Sequence, residues 1–141
     1  MIVEYVKQLA PGVRFIVKGV CKMTYTTLKD FELFKRECNK WIYRLGLHDW
    51  EITFFHEPLD GYDAEITSYL KAKEAVIRFS KTINIQTATR NMQIKRDAQH
   101  EIFHLLLENL YHYARDRYFL EDVYRIEEHI IIHRLQKAFD K

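Results

Sequence analysis

The chain has 141 residues, of which 48% are hydrophobic and 30% charged, with a formal net charge of only +2. That length suits one domain around one core, and the composition excludes a disordered polypeptide. The near-balanced charge demands no nucleic-acid or membrane partner, and no apolar run approaches the ~20 residues needed to cross a bilayer.

The first residues, Met1 to Lys7, lack a basic stretch leading into a long apolar one. No signal peptide is expected there, and the expected compartment is the cytoplasm. Cys21 and Cys38 are accordingly expected as free thiols. Residues 1–26 form an N-terminal extension whose role the sequence leaves open; within it, residues 13–20 read as a strand after the turn signal Pro11-Gly12. Thr26 or Thr27 then serves as a helix N-cap. Phe31, Phe34, Cys38, Trp41, Ile42 and Leu45 recur at helical spacing, and Gly46 ends that helix. Alternation predicts a strand at 50–56, a turn at 59–62, and strands at 65–70 and 75–80 joined by a charged corner at 71–74. Residues 82–92 read as a polar connection. A long helix follows at 92–114, then a bend at 115–118 and a last helix at 120–139. This order predicts an α+β fold for residues 27–141. A small, mostly antiparallel sheet would pack against the first helix, the long helix and the C-terminal helix.

The long helix carries His100, Glu101, Ile102, Phe103 and His104. Two histidines four residues apart lie on one helix face, about 6 Å apart along the axis, so both imidazoles can reach one metal ion. Zinc accepts two such nitrogens and favours tetrahedral geometry. Glu101 is rotated about 100° from His100. From there it can take a proton from a metal-activated water without becoming a ligand, as a general base must. Ile102, Phe103, Leu105 and Leu106 are bulky and uncharged, as a buried active-site helix requires.

A catalytic zinc also needs a third protein ligand. The position six residues after His104 is Leu110, not a third histidine. Glu108 lies on the same face but too far along the axis to share the ion. The final helix offers Glu127 and Glu128, and the bend would fold it back toward the histidines. Glu127 has Val123, Tyr124, Ile130 and Ile131 at helical spacing and is the favoured choice. Glu128, beside Tyr124, Ile131, Ile132 and Leu135 but also Arg125, is the alternative.

The pattern His100-Glu101-x-x-His104, followed by a glutamate on the next helix, resembles the gluzincin branch of zinc metallopeptidases. It is similar to small SprT-like, ImmA/IrrE-like and phage-encoded minimal metallopeptidases. The resemblance implies a zincin-like domain, a Zn2+ cofactor, and hydrolysis of peptide bonds in a peptide or protein substrate with Glu101 as base. It also implies that the strand at 75–80 is a sheet edge on which an extended substrate pairs. The chain departs from the pattern at Asp97, where Val or Thr is usual, and in lacking an Asn-Glu-x-x-Ser signature. Tyr111 and Tyr124 are candidates for polarising the carbonyl, although core packing is the simpler reading of both. His129 and His133 read as surface residues rather than a second metal site. Between positions 69 and 96, Lys71, Lys73, Arg78, Lys81, Arg90, Lys95 and Arg96 face the single acid Glu74. A solvated face is the simpler reading of that segment; an acidic partner or nucleic acid is the other. The rival function is a regulatory or nucleic-acid- or protein-binding protein that keeps the zincin fold with little proteolysis.

Overall fold

The computed structural model describes residues 2–10, 13–20, 22–115 and 120–140, with side chains from residue 23 onward. Strand β1 (Ile2–Ala10) pairs antiparallel with β2 (Val13–Val20), so the expected strand at 13–20 is present. Strand β3 (Lys22–Tyr25) pairs antiparallel with β7 (Thr82–Ile85), which ties the end of the 1–26 extension to the rest of the chain.

Helix α1 (Leu28–Leu45) begins and ends as its sequence dictates. Thr27 Oγ1 accepts from the Asp30 N–H at 3.2 Å, and the Asp30 carboxylate accepts from the Thr27 N–H at 2.8 Å. This reciprocal cap satisfies two donors that the helix itself cannot. At the other end Gly46 adopts φ 64°, a left-handed turn that glycine makes without a Cβ penalty. Phe34, Cys38, Trp41 and Leu45 form the buried face.

Strands β4 (Glu51–Glu57), β5 (Ala64–Tyr69) and β6 (Glu74–Ser80) make a three-stranded sheet in the order β4-β6-β5. β5 is antiparallel to β6, while β4 is parallel to it, the exception among otherwise antiparallel pairings. The expected edge strand at 75–80 is therefore the central one. Its inward residues Ala75, Ile77 and Phe79 are at most 1% exposed, and both of its edges are paired, with β4 on one side and β5 on the other. β5, with Thr67 and Tyr69 exposed, is an edge instead. A second correction concerns residues 82–92, which are not a connection throughout. Thr82–Ile85 is a strand with Ile83 buried, and helix α2 (Arg90–Ala114) starts two residues earlier than its apolar pattern suggests. Thr89 caps it, accepting from the Met92 N–H.

Helix α3 (Glu121–Phe139) runs back along α2. Glu127 meets Asn109, while Phe139 lies against Trp41, whose ring also meets Phe103 edge-on. The bend expected at 115–118 falls largely outside the described residues. Phe34 and Phe79 stack at 4.5 Å in the core, with Ile77, Ile83, Ile94 and Ile102 around them. Full burial of each such side chain contributes roughly 1.5–3 kcal/mol. The fold is α+β, and no described helix is long and apolar enough to cross a membrane.

Candidate metal centre

Helix α2 is anchored by Ile94, Ala98, Ile102 and Leu105, each at most 2% exposed. Burying that stripe turns the opposite face, with His100 and His104, outward. The two Nε2 atoms lie 3.1 Å apart, with the rings nearly perpendicular. Two nitrogens bound to one tetrahedral zinc at 2.0–2.1 Å would sit about 3.3 Å apart. The separation of the donor pair is therefore close to the one such an ion requires. Without metal, the same separation lets one ring donate to the other. Burial, His104 and then Arg96 push the His100 pKa down, which favours the neutral, ligating form of its imidazole.

Glu101 sits between the buried stripe and the histidine face and is itself buried. Burial, with help from Asp97 and Glu65, pushes its carboxyl up to about 7. A base poised near neutral pH is well matched to proton transfer. Asp97, one turn earlier, is also raised to about 7, chiefly by burial. Its Oδ1 accepts from Gln93 Nε2 at 2.8 Å, whereas its buried Oδ2 has no partner among the described residues. Gln93 in turn accepts from the Gln86 N–H, linking the end of β7 to the motif.

A cavity of about 860 Å³ opens beside the histidines. One wall is the edge strand β5, through Ala64, Glu65, Ile66 and Ser68. The other is α2, through His100, Glu101, His104, Leu107, Glu108 and Tyr111, with Tyr62 and Tyr124 at its margins. Searches against protein-family models, curated proteins and solved structures return no match to this chain.

The residues expected at the site are thus partly assembled. His100, Glu101 and His104 share the cavity, and both Tyr111 and Tyr124 line it. Glu127 does not line it. Half-buried, it accepts from Asn109 Nδ2 at 3.2 Å. Asn109 follows His104 by five residues and so points about 140° away from it around α2. Glu128 is exposed and lies one turn after Tyr124, on the same face of α3. Among the described residues no three His, Cys, Asp or Glu side chains gather as a metal-binding group. His129 and His133 are exposed, with His129 Nδ1 2.8 Å from the Arg125 carbonyl. Sequence reasoning missed Glu65, because only the reassigned edge strand brings it to the cavity.

The basic segment is also less free than its composition suggests. Lys73 pairs with Asp49, Arg78 with Glu57, and Arg90 with Asp30, while Lys81 Nζ lies 3.1 Å from His56 Nδ1. Lys71, Lys95 and Arg96 are exposed, and none of the seven lines the cavity.

Proposed function

We propose that the chain is a zincin-like, zinc-dependent peptidase of the gluzincin type. The 3.1 Å approach of the His100 and His104 Nε2 atoms, with the buried Glu101 carboxylate on the turn between them, carries the reading. The two imidazoles would hold Zn2+, and an α3 carboxylate would complete the ligand set. Both Glu127 and Glu128 lie one turn after the cavity-lining Tyr124, and Glu128 fits that role better because Glu127 is engaged by Asn109. Zinc, when bound, supplies the Lewis acidity that makes a water nucleophilic near pH 7.

The chain's own residues do the rest. Glu101 accepts the proton of the water attacking the peptide carbonyl and returns it to the leaving amine. The unpaired edge of β5 offers backbone hydrogen bonds to an extended peptide lying in the cavity. Tyr111 and Tyr124 line the space that the carbonyl oxygen would enter.

Elemental analysis of the purified wild type beside His104→Ala, with a peptide-cleavage assay run beside Glu101→Gln, tests this reading. Wild type should carry zinc and His104→Ala should not. Glu101→Gln should keep its zinc while cleavage falls by roughly 10²–10⁴-fold. A wild type that holds no zinc even after zinc is added, or a fully active Glu101→Gln, would refute it. A partner-binding activity that survives Glu101→Gln without any cleavage would favour the regulatory alternative.

A further inference from the structure

We propose that the cavity selects a positively charged group on its substrate and that Glu108 is the residue that selects it. The identity of the bound molecule as a substrate rests on the peptidase reading; the charge selection rests on the lining of the cavity.

Three carboxylates, Glu65, Glu101 and Glu108, line the space, and no lysine or arginine does so among the described residues. Their situations differ. Glu101 is committed as the base. Glu65 stands opposite Arg78 in the β5–β6 register and lies 3.5 Å from its guanidinium, which it shares with Glu57 at 2.8 Å, so Glu65 has a counter-charge in reach where Glu108 has none among the described residues. Glu108 is half-buried and makes no hydrogen bond or ion pair among the described residues. A carboxylate partly withdrawn from water without a counter-charge is costly, and a cationic ligand group offsets that cost.

The geometry matches a particular ligand. Glu108 is one turn beyond His104 on the same face, about 6 Å further along the axis. That is a distance a lysine or arginine side chain next to the scissile bond can span. Leu107 and Tyr111, which lie to the same side of Glu108 around the helix, are 42% and 57% exposed and line the same cavity. They offer an apolar track for the methylene stem, with the carboxylate at its end. A zinc ion held by His100, His104 and an α3 carboxylate would lie about one helical turn from Glu108, which keeps no counter-charge of its own among the described residues.

The recognised cation has two sources, a basic side chain or the free α-ammonium of a peptide, and blocked peptides separate them. The test uses the full-length zinc-loaded protein. Its probes are peptides identical except for Lys, Gln or Glu beside one cleavable bond, each made with a free and an acetylated N-terminus. Wild type should cleave the Lys peptide with a kcat/KM at least about 10-fold above the Gln peptide, and the gap should shrink at high salt. Glu108→Gln should collapse that ratio toward one, and Glu108→Lys should invert it in favour of the Glu peptide. Preference retained in acetylated peptides assigns the side chain; preference confined to free peptides assigns the terminus.

Binding of the same fluorescent peptides to Glu101→Gln, measured by anisotropy, reads the selection without turnover. Preferential binding of a cationic peptide with no cleavage of any peptide by wild type would uphold the charge inference and sink the peptidase reading. Cleavage and binding that are indifferent to charge would do the reverse. A preference that survives Glu108→Gln, or no binding of any peptide, also overturns the assignment.

Discussion

Asp97 is where the demands of folding and of the site conflict most openly, and Asp97→Asn should make the protein more stable. Burial carries this carboxyl from an ordinary 3.8 up to about 7, and one of its oxygens is buried without a partner. The unfolded chain releases this proton near pH 4, whereas the folded chain holds it until about pH 7. Stability therefore falls as pH rises between those values, and the penalty is complete above the higher one. A gap of about three pH units corresponds to at most about 4 kcal/mol. Because Asp97 keeps some contact with solvent, screening reduces this to roughly 1–3 kcal/mol. Asparagine keeps an oxygen to accept from Gln93 and removes the charge. At pH 8 the melting temperature of the metal-free variant should exceed that of wild type by on the order of 3–9 °C. At pH 4, where the folded chain holds the proton and the unfolded chain is only about half ionised, most of the difference should be gone. Scanning calorimetry of the metal-free proteins across pH 4–8 measures this. An equal gain at both ends of the range, or a loss at pH 8, would refute the reasoning. The same charge helps hold the Glu101 carboxyl up, so the acidic limb of the wild-type pH–rate profile should move to lower pH in the variant.

Further outcomes follow from individual contacts. On the proposed ligand set, Glu128→Gln should weaken zinc binding by at least about 10-fold while Glu127→Gln should change it little; competition with a chromophoric chelator compares them. Cys38 is wholly buried against the Ala98 carbonyl, with its thiol pushed up by burial and by Glu101 and Glu37. Peptide mapping should find it unmodified by an aqueous disulfide reagent until denaturant unfolds the chain. Ile102→Ala should cost about 2–5 kcal/mol of stability in urea unfolding, since Ile102 is fully buried behind the motif.

The sequence was most legible where physics is local. In α1, the apolar period, the Thr27 cap and the Gly46 stop all act within a few residues, and both ends of the helix match. The histidine face of α2 was equally readable, because a spacing of four needs only the helix itself. Strand neighbours were not. β5 and β6 both alternate, and alternation says which face is inward but nothing about which strand lies beside which. Only the insertion of β6 between β4 and β5 settles that. β7 escaped notice because Ile83 and Ile85 merely alternate with Thr82 and Asn84, and four residues supply too little period to outweigh a polar composition. Glu127 is instructive in another way. Periodicity turned it inward, and it is half-buried; but inward at that point means Asn109, because the relative rotation of two helices depends on their shared packing and not on either sequence period.

The same distinction bears on what holds the site in place. A pair of histidines at the right spacing specifies a shared face, not the direction in which that face points. In α2 the direction is dictated by Ile94, Ala98, Ile102 and Leu105, which the core claims, with Cys38 of α1 packed on the helix backbone at Ala98. Glu101, about 100° from His100, is then left at the boundary of core and cavity, where burial lifts its carboxyl toward neutrality. The Glu101 carboxyl is thus tuned by the packing that aims the two histidines, and a mutation loosening the core would move both together. Ile102→Ala therefore offers more than a stability value. If its zinc affinity and the acidic limb of its activity both shift toward those of an exposed site, core packing sets the chemistry. If stability falls while both stay fixed, the helix alone is sufficient.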